Sequence, residues 1–165
     1  MYAQITQFIK MLHTISHLLD KAQKHAELNK LESEVLLNAR LSPDMLPLTS
    51  QVQMACDTAR LATSVLTGQP APAFEGTENT VQELKVVIEK TISYIASMDE
   101  NDFAGWEDRI VAPPGWAGAF LGKDYFYQHG VPNFYFHTVM AYAILRHKGV
   151  RIGKMDYIGA LPFLK

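Results

Sequence analysis

Apolar residues recur every three or four positions in four long segments of the chain, the spacing that amphipathic α-helices show. No segment alternates apolar and polar residues in the way that a half-buried strand does. The pattern therefore predicts an all-α protein, a four-helix bundle. The predicted long helices cover residues 2–25, from 45–47 to about 67, 79–98 and 132–149, with a short helix or bent extension of the first reaching residue 38.

Proline, glycine and capping residues support these boundaries. Thr80 and Glu83 have the spacing of a capping box, Pro132 suits the first turn of the fourth helix, and Gly149 suits its end. Residues 99–130 are irregular, and a connection of this length usually carries function or covers an opening. The apolar tail after Gly149 is expected to pack across the bundle. We predict one domain over residues 1–165, with a long irregular connection before the last helix.

Composition excludes several classes of protein. The 165 residues are 48% hydrophobic and 19% charged with a net charge of −2, and no long basic run suggests a nucleic-acid partner. No apolar run reaches the ~18 residues of a membrane span, and the amino end lacks a signal-peptide pattern, so we expect a cytoplasmic protein without a membrane partner. The single cysteine, Cys56, excludes an internal disulfide and is interpreted as a small buried residue or a nucleophile.

Three uncharged polar residues fall on the inward faces of two predicted helices. Gln51 lies in the apolar arc of the second long helix, while Asn133 and His137 lie one turn apart on the fourth, which is apolar nearly all round. One interpretation is a satisfied core network in which Gln51 bonds to Asn133. The other is a ligand or metal pocket that the three residues line.

A second histidine pair lies on the polar side of the first helix. His13 and His17 are four residues apart, the spacing of a helical metal pair. Their helix face is solvated and shows no third ligand in the sequence. A surface pair without a resident metal is therefore the alternative.

Three blocks of sequence resemble the uncharacterised-domain branch of the DinB/YfiT-like superfamily, and the likeness covers nearly the whole chain. This resemblance implies an up-down-down-up four-helix bundle, often a homodimer. It also implies a divalent metal, nickel or zinc, held by three histidines in many members, some of which are thiol-dependent transferases. The three blocks are "ARLSPDMLPLTSQVQMACDTA", "PNFYFHTVMAYAILRHKGV" and "IGKMDYIG".

Carrying the superfamily's metal site over to this sequence places its three positions on Gln51, Asn133 and His137. Only His137 keeps an imidazole, and amide oxygens are poor substitutes for imidazole around zinc or nickel. The resemblance thus predicts a relative of metal-dependent thiol transferases with a degraded metal site, in which His137 is the metal ligand only if a metal binds. The alternative is a non-catalytic small-molecule-binding protein or a structural dimer, with a cavity near these residues. No catalytic residue is assigned, since the serines and glycines lack the context of a nucleophile elbow or phosphate loop.

Overall fold

Seven helices and one short hairpin make up the part of the chain that the computed structural model describes, residues 2–162. A 3₁₀ turn at Asn101–Phe103 and a π-helical turn at Phe126–Gly130 complete the secondary structure. The helices are α1 Tyr2–Asn29, α2 Ser33–Leu37, α3 Leu48–Thr67, α4 Val81–Ala96, α5 Gly122–Tyr125, α6 Val131–His147 and α7 Lys154–Ile158; the strands are β1 Ile110–Val111 and β2 Phe120–Leu121.

The four long helices form where the sequence pattern predicts them. The first is a few residues longer than predicted, and it ends where Lys30 takes a φ of 53°. Pro47 precedes α3, and Gly68 ends it in the left-handed conformation that glycine adopts without strain. At α4 the capping box of Thr80 and Glu83 is confirmed, with both reciprocal bonds present.

Contacts along the helices give their directions. Helices α3 and α6 are antiparallel, because Thr58 pairs with Asn133 while the earlier Gln51 pairs with the later His137. Helix α4 contacts α3 near both of its ends. The loop before α4 contacts the first turns of α3, and at the other end Tyr94 of α4 reaches the carbonyl just beyond the end of α3. These two helices are therefore parallel.

Helix α1 closes the bundle. It runs antiparallel to α4, because Asp20 pairs with Lys85 while Tyr2 packs edge-to-face on Phe103, beyond the end of α4. The resulting order of directions is up-down-down-up, as the resemblance implies. One hydrophobic core fills the bundle, and the rings of Phe8 from α1 and Phe134 from α6 stack in it with centroids 4.1 Å apart.

The long connection covers one end of this core. It contains the antiparallel hairpin β1–β2, which the sequence pattern missed because a two-residue strand is too short to alternate. Tyr125 and Phe126, which follow the hairpin, are buried, and Phe126 packs between Phe8 and Trp106. The connection thus contributes to the core rather than leaving it open.

The carboxyl-terminal tail packs across the bundle, as predicted. Helix α7 lies against α1, where Lys21 binds Asp156, and against α6, where the hydroxyls of Thr138 and Tyr157 are 3.2 Å apart. Within residues 2–162, no helix combines the length and the apolar character needed to cross a bilayer.

Candidate functional site

Gln51 and His137 meet at the contact between α3 and α6. The Oε1 atom of Gln51 lies 2.8 Å from Nδ1 of His137, and only 1% and 7% of the two residues is exposed. The Nε2 amide of Gln51 donates to the carbonyl of Leu46, 3.1 Å away. The antiparallel packing of two apolar helices therefore encloses one polar pair.

The hydrogen bonds of Gln51 select the tautomer of His137. Because the Gln51 NH₂ group faces a carbonyl, its Oε1 faces His137 and can only accept, so Nδ1 of His137 carries the proton. The lone pair of His137 is then on Nε2. That atom has no hydrogen-bond partner among residues 2–162 and is not sealed from solvent, so it is free to accept a hydrogen bond.

His137 is neutral near pH 7. Burial lowers the pKa of its imidazole below the ordinary value, and no nearby charge contributes to the shift. The lowered pKa therefore reflects the loss of water around the ring rather than a charged neighbour.

Asn133 lies one turn before His137 and bonds to Thr58, not to Gln51 as one interpretation of the sequence expected. Its Nδ2 donates to Thr58 Oγ1 at 2.7 Å, and Thr58 Oγ1 in turn donates to the Met54 carbonyl at 2.7 Å. This chain leaves Oδ1 of Asn133 as a second acceptor. Asn133 is only partly buried, so Oδ1 is within reach of solvent.

The donor set does not fit a zinc or nickel ion. Gln51 Oε1 is already bonded to His137, so one imidazole nitrogen and one amide oxygen remain for a metal among the three predicted site residues. Throughout residues 2–162, no three His, Cys, Asp or Glu side chains are grouped as a metal site requires. We therefore derive no metal chemistry from Gln51, Asn133 and His137.

A residue of the carboxyl-terminal tail lies beside the second histidine pair, His13 and His17. Nε2 of His17 is 3.6 Å from Oδ1 of Asp156, a partner that the sequence pattern did not predict. The ammonium of Lys21 binds the same carboxylate oxygen. The charge of Asp156 is therefore compensated by Lys21, and His13 and His17 form an exposed pair on the surface of α1.

Several grooves of the described surface lie away from the predicted site. A groove of about 660 Å³ separates α1 from α7, and one of about 600 Å³ lies beside the end of α1. Neither is lined by Gln51, Asn133 or His137. The cavity that the sequence analysis expected near these three residues is therefore neither of these grooves.

Cys56 lies on α3 and is fully buried. Burial raises the pKa of its thiol to about 12, so the thiolate is not available near neutral pH. Of the two interpretations of this cysteine, the structure supports a small buried residue.

Comparison with known proteins agrees with this fold. The family model "Domain of unknown function (DUF1993)" matches residues 1–158. A crystal structure of a DinB family member protein from Shewanella denitrificans is 41% identical to this chain, with a TM-score of 0.93 over 98% of this chain and 92% of that one. No curated protein matches the sequence. The chain belongs to the DUF1993 family, an uncharacterised branch of DinB-like helical bundles.

Proposed function

We propose that this DinB-like protein is a non-catalytic binding protein whose ligand is a small neutral molecule that donates hydrogen bonds. The proposed ligand-binding atoms are Nε2 of His137 and Oδ1 of Asn133, with Gln51 as the residue that orients His137. The observation that carries the proposal is the fixed tautomer of His137, which presents a lone pair, not a proton, toward solvent.

The chemistry of the two free atoms selects the ligand class. Both atoms are acceptors, so a ligand must supply N–H or O–H groups. A carboxylate or phosphate would meet two lone pairs and no cation. An ammonium ion would lack the nearby carboxylate that a partly buried cation requires, since no charge contributes to the environment of His137. A neutral amide or alcohol satisfies both atoms without burying a charge.

A metal-dependent thiol transferase is the less supported alternative. Such an enzyme needs a bound metal to polarise its thiol or water, and only one imidazole remains where the superfamily has three. The degraded site can be tested by restoring it. The double variant Gln51→His with Asn133→His should gain tight zinc or nickel binding, while the natural chain should bind neither ion tightly. Submicromolar zinc binding to the natural chain that His137→Leu abolishes would contradict metal independence.

Homodimer formation would complete the proposed site. Phe136 precedes His137 on α6, its ring centroid lies 5.3 Å from that of the imidazole, and it is 50% exposed. A second copy packed on Phe136 would cover this exposed apolar ring and lie beside His137. Sedimentation analysis of the natural chain and of Phe136→Glu tests this part, with a shift from dimer to monomer as the expected result.

Binding can be tested with three probes that share one carbon skeleton: propionamide, propylammonium and propionate. We expect propionamide to shift the Nε2 resonance of His137 in NMR spectra, at concentrations up to about 20 mM because fragments of this size bind weakly. The two charged probes should give smaller shifts.

Two variants and a control make the test specific. Asn133→Ala removes one acceptor and His137→Leu removes the other, so each should abolish the saturable response to propionamide. Because His137→Leu has no imidazole to observe, its response is followed in the backbone amide resonances of α6. His147→Leu, an exposed change on the same helix, should leave it intact. Preference for propionate, or a response to propionamide that survives both site variants, would refute the assignment and favour a purely structural role for the three residues.

A further inference from the structure

A strongly basic groove lies between the end of α1 and the segment that follows α6. Its volume is about 600 Å³, and its charged lining is Lys21, Lys24 and Arg151, with His25 beside them. No carboxylate lines it. Because the whole chain has a net charge of −2, this concentration of positive charge is local rather than a property of the protein.

The fold builds the groove from two distant parts of the sequence. Gly149 ends α6 with a φ of 87°, and its backbone passes His25 so closely that an added Cβ would lie 3.8 Å from the imidazole Cε1. After this turn, Val150 and Ile152 are buried, with 1% and 5% exposed. Arg151, between them, is exposed at the centre of a tight turn, in which the Ile152 N–H donates to the Val150 carbonyl at 2.9 Å.

Two of the cations have no internal counter-ion. Lys21 binds Asp156. Neither Lys24 nor Arg151 forms an ion pair with any residue from 2 to 162. Like charges gathered around one concavity repel each other, and a bound anion would relieve that repulsion. The charge distribution therefore favours an anionic occupant.

We propose that this groove binds a small phosphorylated molecule. The planar guanidinium of Arg151 can hold two phosphate oxygens at once, and the Lys24 ammonium supplies a second charge. Leu28 also lines the groove and is 75% exposed, which offers an apolar surface to the organic part of the ligand. The groove lies at the far end of α6 from His137, so this proposal does not depend on the site proposed above.

The size of the groove favours a small molecule over a nucleic acid. A volume of about 600 Å³ falls within the range of small-ligand sites. A nucleic-acid-binding domain usually carries a basic face or stripe and a high isoelectric point, whereas this chain has a pI near 6.3. One basic concavity on an acidic protein matches a compact anion better.

Calorimetric titration of the full chain at low salt tests the proposal with four probes: AMP, inorganic pyrophosphate, adenosine and citrate. We expect AMP and pyrophosphate to bind, and adenosine, which lacks a phosphate, not to bind. Arg151→Gln and Lys24→Gln should each weaken AMP binding about tenfold, the effect of losing one charge-assisted hydrogen bond. Lys90→Gln, a change of the same kind at an exposed position on α4, should leave the affinity unchanged.

Four results would overturn the proposal. The first two are no heat from AMP or pyrophosphate at millimolar concentration, and equal AMP affinity in Arg151→Gln, Lys24→Gln and Lys90→Gln. The other two are citrate binding as tightly as pyrophosphate, and a short DNA duplex binding more tightly than AMP. The three substitutions lie at exposed positions, and circular dichroism of each variant confirms that a change in affinity does not come from unfolding.

Discussion

The bond between Gln51 and His137 predicts a large energetic coupling between the two residues. Both side chains are buried, and their polar atoms are 2.8 Å apart. Gln51→Leu leaves the Nδ1–H of His137 and the carbonyl of Leu46 without partners, and His137→Leu leaves Oε1 of Gln51 without one. Each unsatisfied buried group costs about 1–3 kcal/mol, so each single variant should lose at least about 1 kcal/mol of unfolding free energy.

The double variant should lose less than the sum of the two single losses. Once both residues are leucine, neither Nδ1–H nor Oε1 is present to be left unsatisfied, and only the Leu46 carbonyl remains unpaired. We expect the double loss to fall short of the sum by about 1–2 kcal/mol, because replacing both partners of a buried bond is much less costly than removing one.

Urea unfolding followed by far-ultraviolet circular dichroism measures all four free energies. A cycle between Gln51→Leu and Ser97→Ala is the control, because Ser97 follows the last turn of α4, far from Gln51, and its hydroxyl donates to the nearby Tyr94 carbonyl. Those two changes should be additive within about 0.5 kcal/mol. If the Gln51–His137 cycle is equally additive, the pair does not form the bond described here, and the tautomer argument for His137 fails with it.

Three further predictions concern pH, a helix cap and a close backbone contact. The lowered pKa of His137 means that the unfolded chain binds more protons than the folded one, so the free energy of unfolding should fall as pH drops below about 6.5. Urea unfolding across pH measures this fall, which should be shallower in His137→Leu. Thr80→Ala removes the capping box of α4 and should cost about 1 kcal/mol in the same assay. Gly122→Ala would place a Cβ 1.9 Å from the Trp106 carbonyl oxygen and should lower the free energy of unfolding by about 3 kcal/mol or more. The control Gly118→Ala places its Cβ in open space and should change little, and tryptophan fluorescence follows the unfolding of both.

Local patterns predicted the helices well because helix formation depends mainly on near neighbours. The period of apolar residues located all four long helices, and the three-residue spacing of Thr80 and Glu83 predicted the capping box of α4. The hairpin β1–β2 was missed because each strand is two residues long and is held by its partner, not by its own pattern. The positions of Gln51 and His137 on the apolar sides of their helices also identified them as buried polar residues.

The pairing of these residues depends on the register of α3 against α6, which no single-helix pattern contains. A shift of one turn along either helix would have paired Gln51 with Asn133. The packed structure instead joins Gln51 to His137 and Asn133 to Thr58. This pairing determines which side-chain atoms remain free to accept hydrogen bonds, and therefore the kind of ligand that we propose.

The sequence by itself determined where the chain is helical and which faces are apolar, because these are properties of single residues and their near neighbours. Only the tertiary structure decided the tautomer of His137, the approach of Asp156 to His17 and the meeting of Lys24 with Arg151. Each of these joins residues far apart in the chain, and such contacts are set by how the helices pack against one another.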